Sequence, residues 1–241
     1  MTDKREKDYM KMHELNCGTG YIIFKNIGYE EFLNICENLG NLRSQNNKGE
    51  KIITVKNRGV NMNSGGRYHQ GNSGGSIHTD SPHWEEVVDY VGLYCKNPAQ
   101  QGGESLLCST EKIYKEMLQN HPKYVKILKE CFYFDKKEYK QGESKTIFKP
   151  ILFEKDGKIC FRYLRDYIES GYAMENREMS KIQIESLDYL DSLIQQSIVT
   201  LKLQKNDAII FNNLRLLHGR TAFIDNTEFR RDLRRVWLCK H

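Results

Sequence analysis

Three residues of this chain could together hold a metal ion. His78 and Asp80 stand two positions apart, directly after a glycine-rich segment, and His218 lies far downstream. In a β-strand the side chains at i and i+2 point to one face, so His78 and Asp80 could grip one ion from adjacent positions. One strand cannot bend around the ion, so the third ligand must come from elsewhere, and His218 would supply it. Two imidazoles and one carboxylate are the ligand set of the facial triad that binds non-haem Fe(II).

A His-x-Asp pair by itself is a weak indication of a metal site. In a chain of 241 residues with 7 histidines, the pair could arise by chance on a surface loop. The surrounding sequence is therefore what favours the metal site over that alternative.

The segment that leads into His78 has an unusual composition. Residues 57–77 are rich in Asn, Gly and Ser and contain few apolar side chains. Such a segment cannot build a hydrophobic core, and long loops in compact domains are commonly lids or binding loops. We therefore expect 57–77 to be a lid loop over the site. His69 would belong to this lid, with a solvated loop position as the alternative.

Length and composition favour a single globular domain. The 241 residues, 39% of them hydrophobic and 29% charged, suit one domain over 1–241 with a proper core. No apolar run approaches the roughly eighteen residues that a membrane span requires, so no membrane partner is expected. The charged N-terminus is followed by no apolar stretch, so we expect no secretory signal there. The seven cysteines, odd in number and without a Cys-x-x-Cys pair, indicate reduced thiols in a cytoplasmic protein.

The net charge of +5 is concentrated near the C-terminus. Residues 230–241 contain five basic residues and one acidic residue, which leaves a net charge of only +1 for the remainder. A nucleic-acid-binding protein usually spreads its basic residues over a wider face, so we expect no nucleic-acid partner. A cluster within one short strand fits a buried site for a small anion, and a solvated basic edge is the alternative.

Hydrophobic patterning predicts short strands with helices between them. The predicted strands are 21–24, 51–55, 87–95, 104–108, 146–153, 158–163, 207–212 and 231–238. The predicted helices are 1–14, 30–39, 111–118 with Ser109 as N-cap, a following helix that ends at about 130, and 180–199 with a capping box from Ser180 and Gln183. Asp156-Gly157 predicts the tip of a hairpin.

The segment around His218 resembles a known family. Residues 206–223, which end in Leu-Leu-His-Gly-Arg-Thr-Ala-Phe, are similar to the distal-histidine signature of the Fe(II)- and 2-oxoglutarate-dependent oxygenases. The motifs follow one another in that family's order: His-x-Asp at 78–80, Gly-Gly-Glu-Ser at 102–105, His-Gly-Arg at 218–220, then an arginine cluster. The resemblance covers about residues 76–110 and 203–238. It is greatest to the branch that contains taurine dioxygenase, clavaminate synthase and γ-butyrobetaine hydroxylase.

The resemblance implies a fold and a set of iron ligands. The fold is mainly β with flanking helices, around a double-stranded β-helix, the jelly-roll core of cupin-like proteins, and the order of short predicted strands is compatible with it. His78, Asp80 and His218 would be the catalytic iron ligands, with 2-oxoglutarate and O2 as co-substrates. Halogenases of this superfamily have a small residue in place of the carboxylate, so Asp80 implies hydroxylation or a related oxidation such as desaturation.

The resemblance also implies where 2-oxoglutarate binds. Its far carboxylate would be held by Arg231, beyond the distal histidine, and by Ser105, which stands where Thr is more common. A guanidinium suits this role because its planar fork binds a carboxylate in a bidentate way. The strand pattern alone allows either Arg230 and Arg234 or Arg231 and Arg235 to face the site. The family's Arg-x-x-x-Arg spacing favours the second pair, and Arg235 would then lie near the iron-side carboxylate or a substrate anion.

Four further residues are candidates for contacts with the substrate or the site. His83 could contact the substrate or act as a spare ligand, with a surface or supporting position as the alternative. Arg162 and Asp166, in Phe-Arg-Tyr-Leu-Arg-Asp, could face a polar substrate. Arg220, beside His218, is as compatible with a structural role as with a catalytic one.

We therefore expect an Fe(II)/2-oxoglutarate oxygenase that hydroxylates or desaturates a small polar molecule, an amino acid or a derivative, with release of succinate and CO2. The substrate class rests on analogy with the family branch. One alternative keeps the chemistry but takes an amino acid tethered to a carrier protein. Another is a metal-binding jelly-roll that senses or stores and does not turn over.

Overall fold

The computed structural model describes residues 10–59, 70–226 and 230–241, which form a mainly β structure with flanking helices. Its strands are β1 (Tyr21–Phe24), β2 (Asn41–Arg43), β3 (Ile52–Val55), β4 (Gly75–His78), β5 (Tyr90–Asn97), β6 (Gln101–Gly102), β7 (Ser105–Ser109), β8 (Cys131–Asp135), β9 (Thr146–Pro150), β10 (Leu152–Lys155), β11 (Lys158–Phe161), β12 (Val199–Leu201), β13 (Ala208–Asn212), β14 (Leu216–Arg220), β15 (Phe223–Ile224) and β16 (Asp232–Cys239). Its helices are α1 (10–16), α2 (Tyr29–Leu39), α3 (Thr110–Asn120), α4 (Pro122–Leu128), α5 (Arg165–Met174) and α6 (Lys181–Gln196). None of these helices is long and apolar enough to cross a membrane.

The larger sheet has two buried faces. Its strand order is β1-β13-β5-β16-β2, with β3 also paired to β16, and every pairing is antiparallel. Alternate residues of β13 go to different sides: Ile210 packs with α1 and α2, whereas Phe211 packs between the two sheets. A strand that is covered on both faces needs a continuous apolar run, which explains why β13 is so clear in the sequence.

The smaller sheet brings the two histidine segments together. Its order is β12-β7-β14-β4, and β14 pairs antiparallel with both of its neighbours. In this register His218 lies opposite His78 on one side and opposite Leu107 on the other. In β14, Leu216 and His218 face the larger sheet. Leu217 points the other way and packs in a core that includes residues of α3, α4, α5 and α6.

The glycine-rich segment is shorter as a loop than predicted. Residues 75–77 belong to β4, so the C-terminal end of the predicted loop 57–77 is wrong. The strand was hidden because it consists of Gly, Ser, Ile and His, of which only Ile77 is apolar. His69 lies outside the described residues.

Several elements differ from the prediction, and others match it. The predicted strand 146–153 is two strands, β9 and β10, which pair with β8 and β11. The helix predicted to reach 199 ends at Gln196, because Val199 starts β12 and pairs with Leu107. The elements β2, β8, β12 and α5 had no recognised signal. The capping box of Ser180 and the N-cap of Ser109 are present.

Candidate active site

His78, Asp80 and His218 converge at one end of a cavity between the two sheets. One potential ligand atom from each residue lies within 4.8 Å of the other two. The Nε2 atoms of His78 and His218 lie 3.6 Å from Oδ1 and Oδ2 of Asp80, respectively. The two imidazole centroids are 4.4 Å apart. This spacing suits one ion held by all three side chains, and we call this region the metal end of the cavity.

Asp80 is positioned by a turn, not by the strand that carries His78. β4 ends at His78, and Thr79 N donates a hydrogen bond to the Tyr163 carbonyl (2.8 Å). Asp80 N donates to Asn213 Oδ1 (2.9 Å), and Asn213 Nδ2 donates back to the Asp80 carbonyl (3.1 Å). Of the two residues, only His78 is therefore positioned by the strand. Asn213, which the sequence did not single out, ties the turn to the segment that leads into the distal histidine.

Two side chains donate hydrogen bonds to the carboxylate of Asp80. Arg235 Nη1 donates to both of its oxygens (2.9 and 3.2 Å), and Trp237 Nε1 donates to Oδ2 (2.8 Å). Burial opposes ionisation of this carboxylate, but the Arg235 guanidinium and the neighbouring imidazoles of His218 and His78 together hold the pKa of Asp80 well below its usual range. Asp80 is therefore ionised at neutral pH, as a metal ligand must be.

His218 is a neutral imidazole at physiological pH. Burial, followed by the neighbouring His78, lowers the pKa of His218 to about 4. A neutral imidazole offers its lone pair to a metal. On His78, Nδ1 lies 2.7 Å from the Ser76 carbonyl, which leaves Nε2 directed at Asp80. Two imidazole nitrogen donors and one ionised carboxylate fit a divalent first-row ion such as Fe(II).

The guanidinium of Arg235 is itself held in place by Gln45. The buried Gln45 accepts from Arg235 Nε (2.8 Å) and donates to the carbonyls of Arg235 and Lys51 (both 2.9 Å). Gln45 has no recognisable motif, so the sequence could not identify it. Trp237 could have been found, since it stands two residues after Arg235 and thus shares its strand face.

Ser105, Arg220 and Arg231 line the same cavity. Arg220 lies two residues from His218 along β14, and Arg231 lies four residues from Arg235 along β16, so we call this region the arginine end. Arg231 is 4% exposed, and its Nη1 has no hydrogen-bond partner among the described residues. Burial, followed by the neighbouring Arg220, lowers the pKa of Arg231 to about 10, so it remains charged at neutral pH. The structure thus places Arg231 and Arg235 on the cavity side of β16, whereas Arg234 bonds Asp232 on the other face.

Of the residues suggested as substrate contacts, His83 and Arg235 are among the described residues that line the cavity. Tyr167 lines it as well, with its ring 5.3 Å from the His83 ring. The guanidinium of Arg162 instead donates to the carbonyls of Pro82 (2.7 Å), Trp84 and Glu85 (3.0 Å). It holds the segment after Asp80 and is not among the described residues that line the cavity.

Asp166 is also outside the lining of the cavity that the described residues form. It stands exposed in the first turn of α5, where Ser76 Oγ lies 3.5 Å from its Oδ1. Its place is beside β4 and not inside the cavity.

Two histidines and one carboxylate, held between antiparallel sheets in a largely buried cavity, define a non-haem metal protein. Residues 2–237 match the family described as taurine catabolism dioxygenase TauD, TfdA family. The chain therefore belongs to the TauD/TfdA family of dioxygenases.

Three curated relatives illustrate the range of this family. The chain is 28% identical over 151 residues to the taurine hydroxylase-like protein SAT17 of Stachybotrys chartarum (61% of this chain, 37% of that protein). It is 25% identical over 170 residues to a uridine-5'-phosphate dioxygenase of a Streptomyces species (67% and 60%). It is 26% identical over 163 residues to glutarate 2-hydroxylase of Salmonella typhimurium (66% and 46%). The chain thus matches less than two thirds of the length of each relative.

Solved structures share the fold at low sequence identity. A crystal structure of asparagine oxygenase superimposes with a TM-score of 0.77 at 15% identity, covering 98% of this chain and 79% of that one. The non-haem iron oxygenase OrfP, in complex with Fe and alpha-ketoglutaric acid, gives a TM-score of 0.73 at 14% identity, covering 99% and 80%.

Proposed function

We propose that this protein is an Fe(II)- and 2-oxoglutarate-dependent dioxygenase that hydroxylates or desaturates a small polar substrate. The observation that carries this proposal is the buried cluster of His78, Asp80 and His218 in a chain of the TauD/TfdA family. The cavity has a volume of about 120 Å³, which suits a small molecule. A free amino acid or a related acid is the favoured substrate, since asparagine oxygenase, OrfP bound to a hydroxylated arginine, and glutarate 2-hydroxylase are among the similar proteins.

In this proposal the residues of the metal end have distinct tasks. His78, Asp80 and His218 hold Fe(II), and Trp237 and Arg235 orient the carboxylate of Asp80. When bound, Fe(II) supplies the oxidative decarboxylation of 2-oxoglutarate by O2 to succinate and CO2, coupled to oxidation of the substrate. Protein groups contribute binding, orientation and exclusion of water.

At the arginine end, Arg231 and Ser105 hold the far carboxylate of 2-oxoglutarate. The guanidinium suits this task because it is charged, buried and directed into the cavity. The apolar side chains Val55, Leu93 and Leu233 line the same cavity and exclude water from the co-substrate. His83, Tyr167 and Arg235 line the same cavity, and we assign contacts with a polar substrate to them.

We also infer the finer architecture. The facing four- and six-stranded antiparallel sheets support a double-stranded β-helix, or jelly-roll, core. We propose one oxygenase domain over 1–241, since the family match extends over 2–237. A cytoplasmic location is supported by the seven cysteines, all of which are free thiols. The proposed lid, shortened to 57–74, is supported in its described part by the contacts of residues 71–73 with β14 and the strand that follows.

The test is an anaerobic titration of the metal-free protein with Fe(II) and then with 2-oxoglutarate. We expect the visible metal-to-ligand charge-transfer band of a chelated 2-oxo acid, and we expect it to vanish in His218→Ala. Intact, metal-loaded protein that develops no band would exclude the oxygenase and favour a sensing or storing protein.

The substrate is then identified by measuring succinate release in the presence of single amino acids and related acids, one at a time. If turnover requires a purified carrier protein and does not occur with the free amino acid, the substrate is an amino acid tethered to that carrier. A chelated 2-oxo acid without succinate release in any of these mixtures would instead support the sensor.

A further inference from the structure

Arg220 places a second guanidinium at the arginine end of the cavity. It stands two residues after His218 at the end of β14 and lines the same cavity as Arg231. Both guanidiniums lie against the buried ring of Phe223, at 4.6 Å from its centroid for Arg220 and 5.3 Å for Arg231. The two arginines therefore flank one aromatic ring at one end of the cavity.

The described residues compensate the positive charges of these two arginines only in part, through the carboxylate of Asp225, which acts on both. Arg220 Nε and Arg231 Nη1 are both buried and have no hydrogen-bond partner among the described residues. Neither guanidinium forms an ion pair with a described carboxylate, in contrast to Arg235, which bonds Asp80. Two like charges in a buried site are costly unless an anion lies between or beside them. An anion with several acceptor oxygens is therefore the ligand that this end of the cavity fits.

The backbone around the two arginines is arranged to make room for them. A Cβ on Gly103 would lie 3.1 Å from Arg231 Nε, and Gly103 has a φ of +73°, which favours glycine. Ser105 pairs with Arg220 across the β7–β14 ladder and lines the cavity beside it. A carboxylate that bonds Ser105 would thus lie next to Arg220 as well as Arg231.

Arg220 also connects the cavity to the end of the glycine-rich segment. Its Nη2 donates to the carbonyls of Gly71 (3.1 Å) and Ser73 (2.6 Å). Beside it, Phe223 N donates to the carbonyl of Asn72 (3.0 Å). One end of the guanidinium is therefore used to hold residues 71–73, while Nε remains buried and without a hydrogen-bond partner among the described residues.

We propose that Arg220 is a second anchor for the far carboxylate of the co-substrate, alongside Arg231. Through the same guanidinium it holds residues 71–73 against the site, so the bound co-substrate and the end of the glycine-rich segment stabilise each other. This inference rests on the proposed function, because it assumes that a dicarboxylic 2-oxo acid occupies the cavity.

The experiment compares two ligands that differ only in the far carboxylate. Fe(II)-loaded protein is titrated anaerobically with 2-oxoglutarate and with 2-oxopentanoate, which has the same chain length and a methyl group at the far end. The variants are Arg220→Gln and Arg220→Lys, with Arg234→Gln as the matched control, since Arg234 bonds Asp232 on the other face of β16. Dissociation constants come from the charge-transfer band, and circular dichroism confirms that each variant is folded.

We expect Arg220→Gln to lower the affinity for 2-oxoglutarate by about 10- to 100-fold, because a hydrogen bond between charged groups is lost. The affinity for 2-oxopentanoate should stay within a factor of about two of the wild-type value. Arg220→Lys keeps the charge without the planar fork and should fall between Arg220→Gln and the wild type. It also serves as the test if Arg220→Gln does not fold. Arg234→Gln should bind both ligands as the wild type does.

Three results would overturn the inference. Equal weakening of both ligands would mean that Arg220 acts only by holding residues 71–73. An unchanged affinity of Arg220→Gln for 2-oxoglutarate would mean that Arg231 holds the far carboxylate without help from Arg220. A wild-type protein that loads Fe(II) but binds neither ligand would overturn the proposed function and this inference with it, and the wild-type titration alone identifies that case.

Discussion

The two ends of the cavity differ in how their charges are compensated. At the metal end, Asp80 has hydrogen bonds from Arg235 and Trp237 and lies beside both histidines. At the arginine end, Arg220 and Arg231 each keep a buried nitrogen without a partner among the described residues. At the metal end the protein's own donors bond the buried carboxylate before any ion binds, although His218 Nδ1 has no partner among the described residues. At the arginine end no described carboxylate forms an ion pair with either guanidinium.

This difference indicates what each region is built to do. A site that must present three ligand atoms in one geometry benefits from supporting hydrogen bonds, which hold the ligands in place. A site that must attract and release an anion in every catalytic cycle needs donors that the protein itself does not satisfy. Variants that damage one end selectively, and measurements of how far its charges are compensated, test this difference.

The largest effect should follow from removing a metal ligand. His218→Ala takes away one of three donor atoms, so we expect loss of Fe(II) binding and of the charge-transfer band, with succinate formation at the background rate. Metal analysis after gel filtration and a succinate assay measure this. Asn213→Ala, which loosens the turn of Asp80 without removing a ligand, should retain partial metal binding. Full activity in His218→Ala would mean that the triad is not the metal site.

The metal-free protein should lose stability as the pH falls from 6.5 to about 4. The pKa of His218 is about 4 in the folded protein and about 6.5 when the chain is unfolded, so in this range the unfolded state binds a proton that the folded state does not. The free energy of unfolding should fall by about 3 kcal/mol across the window and show no contribution from this group above it. Urea denaturation at several pH values measures the change. The same series on His218→Asn should be flatter, and an identical slope would contradict the assignment.

At the arginine end, Arg231→Gln should lower the affinity for 2-oxoglutarate by about 10- to 100-fold, because a charged hydrogen bond to the far carboxylate is lost. The affinity for Fe(II) should be nearly unchanged. Titrations with the metal and with the co-substrate separate the two effects. The control is Arg230→Gln, an exposed arginine next to it. A large loss of Fe(II) affinity in Arg231→Gln would show that the two ends are not independent.

The smallest effect should come from the support of Asp80. Trp237→Phe removes the indole N–H that donates to Oδ2, so Fe(II) affinity should fall by about tenfold while the dissociation constant of 2-oxopentanoate for the loaded protein changes little. Trp84→Phe is the matched control, since its indole N–H lies 3.0 Å from His83 Nε2 and not at Asp80. Equal metal affinities in the two variants would mean that the hydrogen bond from Trp237 does not orient the carboxylate.

Local sequence patterns predicted much of the scaffold. Ser180 with Gln183 marked the start of the longest helix, and the apolar run in Ala208–Asn212 marked a strand buried on both faces. These features depend on neighbours within a few residues, so they are readable without knowledge of the fold. β4 was hidden because its stability comes from pairing with β14, more than a hundred residues away, and not from its own residue types.

The sequence by itself determined which residues could hold the metal, because ligand chemistry depends on residue type and short spacing. It also showed that the motifs follow one another in the order found in the family. Only the tertiary structure decided which face of β16 meets the cavity. Arg231 and Arg235 face it because Leu233 and Trp237 pack between the sheets. It also decided that Arg162 holds a backbone segment and that Gln45 and Asn213 support the site. Such roles arise from contacts between segments far apart in the chain, and a one-dimensional pattern does not contain them.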